Sequence, residues 1–220
     1  MKLNLWLYKL ENKISRFAIE NLMTLLTGAM AILYIADIIM SMSDAPISLY
    51  YMLAFDRAAI LRGEVWRIIT FLFLYPTASN PLFVLLSLYF YYWTGTAVER
   101  RWGKARFNLY YLFGFLGSII AGFIVGGMTN EWLNLTLFLA FAVIYPDVEV
   151  LLFFILPVKV KWLGLIEGAF VLLAFILGSI ISRAEIIVCL LNFLLFFGND
   201  LIRMIRQKYQ EYKWRHPPKR

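Results

Sequence analysis

Apolar positions in this sequence come in long uninterrupted runs rather than in alternation. Residues 68–98, 107–130, 132–146, 168–182 and 186–199 carry no charged side chain. A helix needs about 20 mainly apolar residues to cross roughly 30 Å of hydrocarbon. The pattern therefore predicts six spans, near residues 20–42, 81–98, 105–127, 132–146, 162–181 and 184–204. The shortest uncharged runs can cross only where flanking polar groups reach the interface or sit inside a bundle. Continuous apolarity argues against β-barrel strands, which alternate. The predicted fold is an all-α integral membrane bundle.

The flanking segments read differently. Met1 to Arg16 is amphipathic and carries Lys2, Lys9, Lys13 and Arg16. It is too charged for a secretory signal and lacks a small-residue cleavage site. Between the first two spans, residues 43–80 mix Tyr50, Tyr51, Phe55, Trp66, Phe71 and Phe73 with Asp56, Arg57, Arg62, Glu64 and Arg67. That mixture predicts a long loop lying in the membrane interface. The chain thus divides into an amphipathic segment (1–19), a six-helix membrane domain (20–204) and a basic tail (205–220).

Composition narrows the class. Of 220 residues, 62% are hydrophobic and 16% charged, a balance no single water-facing core accommodates. Cys189 is the one cysteine, so a disulfide framework is excluded. Seventeen Lys and Arg fall on the side shared by both termini and four on the other. The positive-inside rule then places both ends in the cytoplasm. It also accounts for the net charge of +7 without nucleic acid, since no soluble basic module is present. The basic tail is expected to touch anionic membrane lipid. With no cleavable signal and no retention tail, a bacterial plasma membrane is the expected location.

Small residues recur at Gly114, Ser118, Gly122 and Gly126 in the third predicted span. Spaced by four, they form one stripe along which helix backbones can approach closely, a packing seam inside the bundle. Trp66 is amphipathic and Arg67 offers five donors, so the pair can pin the interfacial loop. Glu99 and Gly103 bracket a short turn, where Gly permits a left-handed backbone.

Three patches resemble the rhomboid superfamily of intramembrane proteases and their inactive relatives. Gly63-Glu64-Val65-Trp66-Arg67 looks like the family's Trp-Arg motif in the loop joining its first two helices. Gly95 through Gly103, Arg106 and Phe107 closely resembles its Glu, Gly and Arg-Phe signature between helices two and three. Tyr145-Pro146 through Pro157 to Trp162 is similar to its link between helices four and five. The patches stand in the family's order, and the resemblance as a whole covers nearly the whole chain. The resemblance implies a six-helix rhomboid-like bundle, with Trp66, Arg67, Glu99, Gly103, Arg106 and Phe107 as structural motif residues.

The resemblance also implies where chemistry belongs. Active rhomboids carry a serine within Gly-x-Ser-Gly on helix four, a histidine base on helix six, and His and Asn on helix two. A serine hydroxyl is a weak nucleophile without a positioned base, and the oxyanion needs donors. Residues 131–145 contain neither serine nor glycine. Thr136 is the only hydroxyl before Tyr145, and a threonine in an apolar helix usually bonds back to its own backbone. Asn192 is the main polar residue of residues 186–197 and suits a helix–helix hydrogen bond. Phe83 and Ser87 stand where the family has its helix-two pair. The chain's one histidine, His216, lies in the tail.

No catalytic residue, metal ligand set or cofactor motif is therefore expected: one Cys and one distant His cannot hold zinc, and no phosphate or dinucleotide loop occurs. Asp37, Glu167 and Asp200 are expected at interfaces or in polar contacts within the bundle. The resemblance implies an inactive, derlin-like protein that binds transmembrane clients and influences their trafficking, extraction or degradation. A partner protease or extraction machinery would then act on those clients. The competing readings are a protease with Thr136, Ser87 or Ser118 as nucleophile, and a small transporter using Asn108, Asn134, Asn192 and Asn199.

Overall fold

In the computed structural model the described residues are 2–42, 48–78, 80–152 and 156–215. His216 lies outside them. The chain begins with α1 (Lys2–Ile14), a short amphipathic helix that buries Leu7 and sets the Trp6 ring 5.9 Å from Phe113. Asn21, at φ +54°, makes the turn into α2 (Leu22–Met42). Asparagine enters this left-handed region more readily than most side chains.

The expected loop is folded. It contains α3 (Leu49–Leu53), β1 (Phe55–Asp56), α4 (Arg57–Leu61), α5 (Arg67–Thr70) and a 3-10 turn at Phe71–Phe73. Two side chains start its helices: Ser48 accepts from the Tyr50 N–H, and Asp56 accepts from the Ala59 N–H. Each satisfies a backbone donor that the helix itself leaves free. Phe55, Ile60, Phe71 and Leu74 form a small core beneath the loop with Ala121 and Met128.

Next comes α6 (Pro81–Trp102), which Asn80 caps by accepting the Leu82 N–H, with Pro81 in the first turn, where its missing donor costs nothing. Gly103, at φ +81°, separates it from α7 (Lys104–Val125). Then β2 (Gly127–Met128) pairs antiparallel with β1, Phe55 opposite Met128. After α8 (Glu131–Ile144), β3 (Glu149–Leu152) and β4 (Leu156–Lys159) form an antiparallel hairpin, Glu149 opposite Lys159. The chain continues with α9 (Val160–Leu177) and α10 (Ile180–Arg215). Neither pair of strands was visible in the apolar pattern, because segments this short have no period to detect.

Five helices are long and apolar enough to cross a membrane: α2, α6, α7, α9 and the Ile180–Gly198 part of α10. The fourth predicted span differs. α8 has 14 residues, which at 1.5 Å per residue rises about 21 Å and falls short of the hydrocarbon thickness. It is instead the most enclosed element, packed on α6, α9 and α10 with Leu133, Leu137, Phe138 and Phe141 buried. The main core surrounds it, with Met23, Phe107, Tyr110 and Phe197 all but inaccessible. α10 also departs from expectation, because it does not stop where the apolar residues stop. From residue 199 to Arg215 it has neither Gly nor Pro, and its Lys, Arg, Gln and Glu are good helix formers.

Candidate functional site

At one end of the bundle, Arg67 organises the loop. Its Nε donates to Glu64 Oε2 at 2.7 Å, and Nη2 lies 2.6 Å from the same oxygen. Nη1 donates to the carbonyls of Tyr51 and Ala54, at 2.6 and 2.8 Å. One guanidinium thereby joins α5 to the end of α3, a task suited to its fixed fork of donors. Thr70 adds a bond to the Leu53 carbonyl at 2.8 Å. Trp66 is half exposed, and its ring N–H meets the Met52 carbonyl at 3.4 Å, a long contact.

Asp37, on α2, faces the same loop. Its carboxylate accepts from the Ser48 hydroxyl at 2.9 Å, the Leu49 N–H at 2.6 Å, and the Tyr75 hydroxyl. It therefore makes a polar contact between helix and loop. Burial, with Asp37 nearby, pushes the Tyr75 hydroxyl well above its usual range. Burial likewise pushes the Tyr50 hydroxyl up to about 12. Both phenols remain protonated donors at neutral pH.

At the opposite end, the Glu99 carboxylate is buried and takes the Leu22 N–H at 2.8 Å and the Met23 N–H at 3.1 Å. It thus caps α2 rather than the turn it borders in sequence. Asn108 holds the approach to α2 from both sides, accepting from the Ile19 N–H and donating to the Ile19 carbonyl, each at 2.9 Å. Lys104 pairs with Glu20 at 2.5 Å, and its ammonium holds that carboxyl below the usual range. Arg106 lies 4.6 Å over the Trp102 ring, donates to the Phe196 carbonyl at 2.7 Å, and pairs with Glu11 at 3.8 Å. It ties α1, α6, α7 and α10 together. Phe107 is fully buried beside Tyr111, ring centres 5.2 Å apart.

The small residues of α7 have separate neighbours. A Cβ on Gly114 would stand 2.5 Å from Leu133 Cδ1 and 3.0 Å from Asn192 Nδ2, so α8 and α10 approach there. Ser118 is buried. A Cβ on Gly122 would meet the Phe55 ring at 2.7 Å, so that glycine seats the loop instead. Gly126 ends the helix at φ +101°, a left-handed cap.

Between α7, α8 and α10 lies a buried neutral network. The Thr136 hydroxyl donates to the Leu133 carbonyl at 2.9 Å and shares a 2.8 Å bond with the Tyr110 hydroxyl. Asn192 donates to the Tyr110 carbonyl at 3.0 Å, and Tyr111 donates to Asn134 Oδ1 at 3.0 Å. Thr136 therefore bonds back to its own helix, and Asn192 links α10 to α7. Neither Ser87 nor Ser118 bonds, among the described residues, to a side chain able to take its proton. No group of three or more His, Cys, Asp or Glu that could hold a metal occurs among the described residues.

Several contacts escaped the sequence. Asn130 donates to the carbonyls of Leu72 and Leu74, at 2.8 and 2.9 Å, closing the loop against the start of α8. Glu185, buried on α10, accepts the Thr129 N–H. Arg57 donates to the carbonyls of Phe123 and Ile124 at the end of α7. An Asn after an apolar run and an Arg facing a helix end are weak signals, and nothing in a single chain names their partners. Glu167 behaves otherwise: it sits mid-way along α9, and its Oε1 is buried without a hydrogen-bond partner.

Five long apolar helices, three of them packed on a short enclosed one, with polar side chains closing both ends, define an all-α integral membrane protein. No protein-family model matches this chain, and no curated protein matches it either.

Proposed function

We infer that this is a catalytically inactive rhomboid-like membrane protein that binds transmembrane clients and influences their trafficking, extraction or degradation. In this reading α8 counts as the fourth of six membrane helices, both termini are cytoplasmic, and the host membrane is a bacterial plasma membrane. Support for the family comes from the ordered motif patches in the sequence. The Arg67 loop clamp and the Glu99 cap give two of them structural work.

One observation carries the reading of inactivity. Where the resemblance calls for a nucleophile and a base between helices four and six, the side chains are Thr136, Tyr110 and Asn192, all neutral and bonded to one another or to backbone. An amide cannot take a proton at neutral pH, so no activated oxygen forms there. What remains is a scaffold with a short central helix and an interfacial loop. The interfacial loop perturbs the lipid beside it, and a client helix bearing polar residues is better solvated there.

The test uses the purified full chain in liposomes with a panel of single-span substrates. Crosslinked but uncut substrate helices are the expected result. Cleavage that disappears in Thr136→Val, Ser87→Ala or Ser118→Ala would replace this reading with that of a protease.

A further inference from the structure

We propose that Glu167 is a docking residue for a client transmembrane helix that carries a lysine or arginine near mid-membrane. This rests on the client-binding reading above and specifies its partner. Glu167 stands seven residues after the start of α9 and ten before its end, about 10–15 Å from either terminus. A carboxyl at that depth is costly unless something meets it, which makes it a functional position by default.

No group among the described residues hydrogen-bonds its buried oxygen, Oε1, and Glu167 takes part in none of the ion pairs among them. The described Lys and Arg all lie in α1, in loops, at helix ends or in the polar extension of α10. A second copy of this chain would bring none of the described cations to that depth, so the complement is assigned to another protein.

The surroundings leave room for one. Among the five long apolar helices, α9 is the least enclosed, with Val160 and Val171 its only buried residues. It rests on α8 and α10 and exposes Leu165, Ile166, Phe170 and Leu173. A Cβ added at Gly168, beside Glu167, would find no atom within 4 Å, whereas one at Gly164 would strike Ala142. The helix is therefore seated through Gly164 and open at Gly168. A helix approaching there can pass its long basic side chain along the apolar surface to the carboxylate. Small residues at the contact permit close backbone approach.

The experiment uses the full-length protein in phosphatidylcholine liposomes with photo-crosslinkable leucine–alanine single-span peptides. Their central residue is Lys, Leu or Glu. Wild type should crosslink the Lys peptide about tenfold more than the Leu peptide, a ratio in keeping with one membrane-buried polar pairing. Glu167→Gln and Glu167→Leu should each remove that preference, and Glu167→Lys should transfer it to the Glu peptide. Equal capture of Lys and Leu peptides by wild type, or a Lys preference that survives Glu167→Leu, overturns the assignment while leaving client binding intact. Failure to capture any peptide overturns both readings. If Glu167→Lys does not fold, the Gln and Leu variants decide alone, provided their melting curves match wild type.

Discussion

The Glu99 carboxylate, near the end of α6, accepts the backbone N–H of Leu22 at the start of α2, 77 residues away. With Met23 as its second donor, this one buried side chain satisfies two of the amides that α2 cannot pair internally. The charge also lies favourably at a helix N-terminus. The entry of α2 is thereby fixed to the α6–α7 corner, with Asn108 and Lys104 holding Ile19 and Glu20 alongside.

Glu99→Ala should therefore destabilise the protein by about 1–3 kcal/mol, the usual cost of leaving buried donors without an acceptor. Glu99→Gln keeps one acceptor oxygen and should fall between. Melting temperatures in detergent check this; an Ala variant as stable as wild type refutes it.

Arg67→Lys should loosen the loop although it keeps the charge. An ammonium cannot reach Glu64, Tyr51 and Ala54 together, as the guanidinium does. Faster limited proteolysis within residues 48–74, with the helices still protected, is the expected readout. Identical cleavage rates would show that the clamp is dispensable.

Two glycines of α7 should respond in different ways. Gly114→Leu drives a side chain into Leu133 and Asn192 and should cost well over 1 kcal/mol, as overpacked cores do. At Gly126→Ala the added Cβ meets only Arg57 Nη2, at 3.9 Å, so its cost is the strain of φ +101°, about 1 kcal/mol. Paired unfolding curves separate the two cases, and equal losses would argue against this division.

Acid should release the start of α4. The Ala59 N–H holds the Asp56 carboxyl below its ordinary value of 3.8, so the carboxylate is favoured in the folded loop. A depressed folded-state value means the contribution is present above pH 3.8 and fades as pH falls through the lower folded value. Hydrogen exchange at the Ala59 amide should accelerate there. Asp56→Asn still caps but does not titrate, and its exchange should lack that step.

The loop shows how much a single chain reveals. Its aromatic and charged mixture sets it apart from the apolar spans on either side, because that property is summed over neighbouring residues. That Arg67 would bond the carbonyls of Tyr51 and Ala54 was not readable, since backbone acceptors carry no residue-type signature. Glu99 and Arg106 stood out through the motif, but their partners did not. The pairing of Arg106 with Trp102 is local, whereas its contact with Phe196 crosses 90 positions.

Length of apolar runs and placement of charge were enough to determine that α2, α6, α7, α9 and the first part of α10 are membrane-length helices, because backbone satisfaction in hydrocarbon is a local demand. The tertiary structure decided that α8 is a short helix enclosed by its neighbours, that Gly122 seats Phe55, and that Glu99 caps α2. Those outcomes depend on which distant surfaces meet, and packing alone selects that meeting.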